Sequence, residues 1–214
     1  MYIGIALTVC RKRLTVPRLS ALLRRRHHGA QMKLNLGCGS QILPGYCNVD
    51  KVGEPDLKWD LESFPWPWPD NAAEEVLLSH VLEHLGQAPA TFLAIMQELY
   101  RVCRNDALVK VVVPHPRSDF FLGDPTHVRP ILPMTLEMFS RRVNEEWRQQ
   151  GASNTPLALQ CGVDFDIVSI VQMLEEPYLS LYRSGKIAAE QLQEIERTQF
   201  NIVSQIEIVL KAVK

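Results

Sequence analysis

Apolar and polar residues alternate along the chain with two periods, one typical of strands and one typical of helices. Apolar residues at helical spacing (Phe92, Ile95, Met96, Leu99, Val102) predict an amphipathic helix over 88–104, followed by a turn at Asn105 and Asp106. Further helices are predicted over 135–150 and 187–197. Short apolar runs predict strands at 33–36, 46–50, 57–61, 76–79, 108–113, 165–174 and 202–213. This alternation indicates an α/β domain with a doubly wound, mostly parallel sheet and helices on both faces.

Two segments interrupt this pattern. Gly37-Cys38-Gly39-Ser40 follows the first predicted strand, and almost no helix fits before the second strand. Prolines recur at every second position of Phe64-Pro65-Trp66-Pro67-Trp68-Pro69, which predicts an irregular loop because proline cannot donate to a strand ladder.

Length and composition indicate a single globular domain. The chain has 214 residues, of which 46% are hydrophobic and 22% charged, which excludes disordered, collagen-like and disulfide-stapled classes. Its net charge of −1 is unevenly distributed, since no Asp or Glu precedes Asp50. Residues 1–31 carry +7 and residues 32–214 carry −8.

The charge distribution divides the chain at about residue 32. We predict that 1–31 is a basic N-terminal extension, disordered or not essential, and that 32–214 is the functional domain. A tail with a role of its own and a targeting peptide remain alternatives for 1–31. The apolar stretch 2–10 is far shorter than the roughly 20 residues that cross a bilayer, so no membrane span is expected.

Cysteine usage indicates a reducing compartment, and we predict a cytoplasmic protein. The five cysteines are widely spaced, with no C-x-x-C pair and no Cys/His spacing of a zinc site. The sequence predicts neither a disulfide framework nor a metal ion.

The glycine loop by itself is compatible with several ligands. In open α/β sheets, ligands bind at the carboxyl ends of the strands, where a glycine turn lets the backbone approach them. A dinucleotide fingerprint is disfavoured, because Ile42 stands where the third glycine is needed and Asp50 comes too early for the acidic position. A phosphate loop is excluded, because no Gly-Lys-Ser/Thr follows.

A series of motifs makes the interpretation more specific. In chain order they are Leu34-Asn35-Leu36-Gly37-Cys38-Gly39, Leu43-Pro44-Gly45-Tyr46-Cys47-Asn48-Val49-Asp50, Trp59-Asp60-Leu61, Phe64-Pro65-Trp66-Pro67, Ser79-His80-Val81-Leu82-Glu83-His84-Leu85, Glu98-Leu99-Tyr100-Arg101-Val102 and Val111-Val112-Val113-Pro114-His115. This series resembles the class I S-adenosylmethionine-dependent methyltransferases, in a small-molecule or glycan-type subgroup with a shortened connection between the first two strands. The resemblance covers 33–140 and is only architectural beyond it. It implies a seven-stranded Rossmann-like sheet that ends in an antiparallel hairpin.

The resemblance also implies a set of residues that bind S-adenosylmethionine. The glycine-loop backbone would approach the methionine portion, Asp50 the ribose hydroxyls, and Asp60 with Leu61 the adenine. Ser79 and His80 would line the methyl end. The family often has an acidic residue at the position of Asn35, so a contact there to the methionine amine would be made differently. The implied cofactor-binding residues are Asn35, Gly37, Cys38, Gly39, Asp50, Asp60, Leu61, Ser79 and His80.

A polar run after the fifth predicted strand is the expected wall of the acceptor site. His115, Asp119 and His127 lie in this run and are candidate general bases, because an acceptor hydroxyl or protonated amine must lose a proton. Phe120 and Phe121 interrupt the run as either packing residues or a small lid.

These features predict an enzyme that transfers a methyl group to a small-molecule or glycan-type acceptor. The acidic balance of 32–214 disfavours a nucleic-acid partner. A non-catalytic binding or scaffold protein with the same fold is the main alternative, and a nucleotide-dependent oxidoreductase is a weaker one. The sequence leaves the oligomeric state open.

Overall fold

The computed structural model describes residues 32–214, so the predicted extension 1–31 lies outside the described residues. These residues form seven strands, β1 (Met32–Leu36), β2 (Cys47–Asp50), β3 (Leu57–Lys58), β4 (Ala73–Ser79), β5 (Cys103–Pro114), β6 (Phe165–Leu174) and β7 (Val203–Ala212). The helices are α1 (Pro89–Val102), α2 (Asp119–Leu122), α3 (Pro133–Glu137), α4 (Arg141–Gln149), α5 (Leu157–Cys161), α6 (Tyr178–Arg183) and α7 (Ala189–Thr198). A short 3-10 turn spans Leu82–His84.

The strands form one mixed sheet in the order β3-β2-β1-β4-β5-β7-β6. The β1–β2, β1–β4, β2–β3 and β4–β5 pairs are parallel, whereas β7 runs antiparallel to both β5 and β6. This confirms the α/β class and the C-terminal antiparallel pair. The order differs from the dinucleotide-binding order 3-2-1-4-5-6 because β7 is inserted between β5 and β6.

The helices are unevenly distributed along the chain. Within 32–214, the connections from β1 through β4 contain no helix, and every helix follows β4. The prediction that almost no helix separates the first two strands is confirmed. Helical wrapping of the sheet is therefore restricted to the part of the chain that follows β4.

Three predicted elements differ from the observed ones. Asn105 and Asp106 lie within β5, where Asp106 has a φ of 61° and the β4–β5 register shifts, so the predicted turn is an irregularity inside a strand. The predicted strand 57–61 contains only the two residues of β3. The predicted helix 135–150 is two helices, and Ser140 caps the second by accepting a hydrogen bond from Val143 N.

The proline-rich loop closes one end of the core. Trp66 and Trp68 are buried and pack edge to face, with ring centroids 6.0 Å apart. The guanidinium of Arg101, on α1, donates to the carbonyls of Trp68 (2.8 Å) and Trp66 (3.1 Å). It also donates to both oxygens of Glu98 and to Asp70. One side chain therefore holds a loop that has few backbone hydrogen bonds of its own.

This arrangement depends on the planar fork of arginine. We expect Arg101→Lys to lower the free energy of unfolding by about 1–2 kcal/mol, because an ammonium group cannot reach two carbonyls and two carboxylates at once. Arg148 is the matched control, because it also contacts a carboxylate in two places but its side chain is 73% exposed. Arg148→Lys should change stability by about 0.5 kcal/mol or less. Urea unfolding of both variants measures the difference, and equal losses would contradict this role of Arg101.

Candidate active site

The glycine loop after β1 turns sharply and leaves open space beside one of its residues. Gly37 and Gly39 have φ values of 66° and 50°, in the left-handed region. A Cβ at Gly37 would overlap the side chain of Val81, whereas a Cβ at Gly39 would meet no atom within 4 Å. Gly37 therefore packs against the turn after β4, and Gly39 borders space that a ligand can enter.

Asp50, the last residue of β2, is hydrogen-bonded directly to this loop. Its Oδ2 accepts from Gly39 N at 2.8 Å, and its Oδ1 accepts from Val52 N at 3.0 Å. Each carboxylate oxygen keeps a lone pair for a further donor. The predicted glycine and acid positions thus form one unit at the carboxyl end of the sheet.

Cys38, in the loop, and Asn35, near the end of β1, form hydrogen bonds within the chain. Cys38 N donates to Val49 O at 3.0 Å, so this amide is not available to a ligand. The Cys38 thiol is buried, and burial together with Asp50 raises its pKa. The amide group of Asn35 donates to Gln41 O (2.8 Å) and to Asn48 Oδ1 (2.9 Å). Both N–H donors of Asn35 brace the loop, which leaves its carbonyl oxygen as the atom that can face a ligand.

The predicted adenine-side residues lie next to Asp50 but differ in exposure. Trp59 N donates to Asp50 O at 3.0 Å, which places Asp60 just beyond the end of β2. Asp60 is exposed, and its Oδ1 accepts from Glu62 N at 3.0 Å. Leu61 is only 5% exposed and belongs to the hydrophobic core. Its side chain therefore has little surface to offer to a ring.

Ser79 and His80 lie at the end of β4, on the same edge of the sheet. Both are exposed, and His80 has a φ of 56°. The ring of His80 lies between Glu83 Oε1, 3.4 Å from Nδ1, and Gln205 Oε1, 3.2 Å from Nε2. The Glu83 carboxylate raises the pKa of His80, burial opposes this shift, and Gln205 adds to it.

A cleft of about 470 Å³ opens beside His80, at the carboxyl ends of β4 and β5. The residues that line this cleft are His80, Glu83, His84, Pro114, Phe120, Asp124, His127, Glu175, Ser204 and Gln205. Phe120 is 67% exposed at its rim, so it is not a packing residue of the core. This volume lies within the range of small-molecule sites.

Of the three predicted bases, the structure places only His127 in this cleft. His127 Nδ1 is 2.8 Å from the carbonyl of Phe121, and Nε2 is 3.7 Å from Asp124 Oδ2. Hydrogen bonds from Thr126, with a smaller contribution from His127 and His84, hold the pKa of Asp124 below its usual range.

His115 and Asp119 point to other parts of the molecule. His115 is buried, accepts from Arg117 N at 3.1 Å, and has Nε2 3.4 Å from Glu196 Oε1 on α7. Asp119 Oδ2 accepts from the side chain of Asn201 at 2.9 Å. Both residues attach the segment after β5 to the C-terminal part of the chain rather than line the cleft.

Comparisons with known proteins find similar folds and no similar characterised sequences. No protein-family model matches the chain, and no curated protein matches it. A solved S-adenosylmethionine-dependent methyltransferase from Archaeoglobus fulgidus is 20% identical and has a TM-score of 0.55, with 86% of each chain covered. One from Methanosarcina mazei is 14% identical with a TM-score of 0.49, over 85% of this chain and 92% of that one. The YcgJ protein of Bacillus subtilis is 14% identical with a TM-score of 0.47, over 86% and 92%.

The chain has a class I methyltransferase fold. This confirms the fold implied by the motif series. No helix within 32–214 is long and apolar enough to cross a membrane.

The geometry of the loop is compatible with the cofactor of this fold. Gly39 borders open space, and Asp50 is held with free lone pairs beside it. The side-chain oxygen of Asn35 is an acceptor that would suit the positively charged amine of methionine, although the residue is only 3% exposed. Cys38 and Leu61 fit less well than predicted, since the first has no free amide and the second is buried.

Several residues of the cleft were not predicted as site residues. Glu83 and His84 follow β4 and come close to His127, although they are far from it in the sequence. Gln205 and Ser204 come from β7, which reaches the cleft because it pairs with β5. No local motif marks these residues. Only the order of the strands places them at this edge of the sheet.

Proposed function

We propose that this chain transfers a methyl group from S-adenosylmethionine to a small-molecule or glycan-type acceptor. The observation that carries the proposal is the hydrogen bond between Gly39 N and Asp50, which builds a ligand-facing loop at the same sheet edge as the cleft. The methyltransferase fold supports it, because this edge is where open α/β sheets bind their ligands.

In this proposal seven of the nine implied cofactor-binding residues have a definite task. Asp50 accepts hydrogen bonds from the ribose hydroxyls, and Asp60 accepts one from the adenine amine. Asn35 accepts one from the methionine amine through its carbonyl oxygen, while Gly37 and Gly39 shape the backbone around the methionine portion. Ser79 ends β4, and His80 follows it and lines the cleft, where the methyl group would face the acceptor.

When bound, the cofactor supplies an activated methyl group, and the protein has to align the acceptor and remove its proton. His127 is the predicted base that the cleft contains. Its Nδ1 faces a carbonyl oxygen, which can only accept, so Nδ1 carries a proton, and in the neutral ring Nε2 has the lone pair that a base needs. The acidic balance of 32–214 favours a small acceptor over a nucleic acid, and the cleft is large enough to hold a small acceptor.

The three predicted bases can be separated by their variants. We expect His127→Asn to lower kcat by about 10²–10⁴-fold, the usual contribution of a positioned base. His115→Asn and Asp119→Asn should instead lower the melting temperature with a smaller effect on rate, because both side chains join neighbouring elements. Parallel measurement of kcat and melting temperature tests this, and a full loss of rate in His115→Asn with an unchanged melting temperature would contradict it.

Isothermal titration with S-adenosylhomocysteine and NAD tests the cofactor. We expect the first to bind and the second not to bind, because the glycine and acid spacing does not suit a dinucleotide. Tight NAD binding without S-adenosylhomocysteine binding would favour the oxidoreductase alternative and contradict the proposal.

A further inference from the structure

We propose that Glu83, His84 and His127 form a binding site for a divalent first-row transition-metal ion at the wall of the cleft. One ligand atom from each of these residues lies within 4.8 Å of the others. Ligand atoms around a bound ion are about 3–4 Å apart, given metal–ligand bonds of about 2.0–2.2 Å. A modest side-chain rotation therefore closes the three atoms around an ion.

The strongest argument is the environment of Glu83. Its side chain is 1% exposed, and neither carboxylate oxygen has a hydrogen-bond partner among the described residues. Its ion-pair partner among the described residues is His80, half exposed, with Nδ1 3.4 Å from Oε1 and a pKa that Glu83 raises. A buried carboxylate without hydrogen bonds is costly unless cations compensate it. One carboxylate oxygen of Glu83 lies within 4.8 Å of a ring nitrogen of His84 and of His127, so a metal ion there would add to the charge that His80 supplies.

Both histidines use Nδ1 for hydrogen bonds, which leaves Nε2 for the ion, and Nε2 of His127 lies 3.7 Å from Asp124 Oδ2. His127 Nδ1 donates to Phe121 O, as described above, so its Nε2 has the lone pair. His84 Nδ1 lies 3.3 Å from Thr126 O and 3.0 Å from Thr126 Oγ1. The Thr126 hydroxyl donates its only proton to Asp124 at 2.6 Å, so both Thr126 oxygens accept from His84 Nδ1. Carbonyl or hydroxyl partners on the distal nitrogen are the usual support of metal-binding histidines.

The two loops that supply the ligands are also fixed to each other. Val128 N and Arg129 N both donate to the carbonyl of Glu83, at 2.9 and 3.2 Å. These bonds hold His127 against Glu83 and His84 without involving the ligand side chains. These backbone bonds thus bring the two ligand-bearing loops together, and a side-chain rotation completes the site.

The ligand set indicates the class of ion. Two imidazoles and one carboxylate favour Mn, Fe, Co, Ni or Zn over Mg²⁺ and Ca²⁺, which prefer oxygen ligands. Such a set leaves coordination positions open toward the cleft. If the proposed methyl transfer is correct, Nε2 of His127 cannot act as the base while it binds the ion. With the ion bound, an acceptor hydroxyl on the ion would instead lose its proton more easily, because bound cations lower the pKa of their ligands.

The test is a metal titration without cofactor or acceptor, so it is independent of the proposed function. The full chain, without an affinity tag and stripped with a chelator, is titrated with Co²⁺ and followed by visible absorption. His27 and His28 are replaced by Ala in every protein compared, so that this pair does not bind the metal. We expect one equivalent of Co²⁺, with d–d bands that Zn²⁺ displaces.

Variants then identify the ligands. Glu83→Gln and His127→Asn should each weaken Co²⁺ binding by about 100-fold or more, since loss of a supporting residue alone costs about 10–100-fold. Glu175→Gln is the matched control, because it removes a carboxylate from the same cleft that is outside the cluster. We expect its affinity to stay within about threefold of the parent.

Either of two results would overturn the proposal. The first is that the parent binds no stoichiometric Co²⁺, and the second is that the parent and the two ligand variants bind Co²⁺ with equal affinity. Circular dichroism confirms that each variant is folded. If Glu83→Gln does not fold, His84→Asn takes its place with the same expected loss of affinity.

Discussion

Asp50→Ala is expected to weaken the binding of S-adenosylhomocysteine by about 1–3 kcal/mol, or roughly 5- to 150-fold. Two losses add together in this variant. The hydrogen bonds that we assign to the ribose hydroxyls disappear, and Gly39 N loses the acceptor that fixes the loop. Val52 N loses its acceptor as well, so the backbone after β2 is also less well held.

Isothermal titration measures this effect, with Glu54→Gln as the control. Glu54 lies in the same connection between β2 and β3, but its side chain is 98% exposed and contacts only Lys58, at 3.9 Å. Its removal should leave the affinity unchanged within about twofold. An Asp50→Ala protein that is folded and binds as well as the parent would contradict the assignment of Asp50.

Alanine at Gly37 should cost more stability than alanine at Gly39, although both positions have positive φ. At Gly37 the new methyl group overlaps Val81, and the left-handed backbone adds its own strain. We expect Gly37→Ala to lower the free energy of unfolding by about 2–4 kcal/mol from these two costs. At Gly39 only the backbone strain applies, so the loss should be about 1–2 kcal/mol.

The order should be reversed for cofactor affinity: Gly39→Ala, which loses less stability, should lose more affinity. A methyl group at Gly39 occupies the open space that we assign to the methionine portion, so Gly39→Ala should bind S-adenosylhomocysteine more weakly than Gly37→Ala. Urea unfolding and isothermal titration on both proteins give the two rankings. Adding Val81→Ala to Gly37→Ala should restore part of the stability, because it removes the overlapping atoms. Identical behaviour of the two alanine variants would contradict the geometry of the loop.

The sequence predicted most of the strands because their signal is local. The 165–174 strand was predicted with its observed bounds, and the strands at 33–36 and 202–213 agree within a residue at each end. The break in the predicted helix 135–150 was not visible, because no proline or glycine marks it. It arises from tertiary contacts: Phe165 N donates to Phe139 O, and Ser140 donates to Asp166. These bonds from β6 replace the hydrogen bonds of a continuous helix.

Part of the candidate site could be predicted from the sequence and part could not. The glycine loop and Asp50 were predictable, since the motif spacing places both at the ends of adjacent parallel strands. The sequence of the polar run after β5 does not indicate which way its side chains point. His115 is drawn toward Glu196 on α7 and His127 toward the cleft, and only the folded chain distinguishes them. The cluster of Glu83, His84 and His127 depends on two loops that the backbone joins, so no spacing in the sequence reveals it.

The most direct test of the central claim is a methyl-transfer assay with S-adenosylmethionine labelled in its methyl group. The full chain is screened against sugars, amines and small phenols, with Asp50→Ala as the matched variant of weaker cofactor binding. We predict a labelled product from at least one of these classes. The Asp50→Ala protein should form it more slowly, because it binds the cofactor more weakly. Tight binding of S-adenosylhomocysteine with no labelled product from any class would contradict catalysis and favour the scaffold alternative.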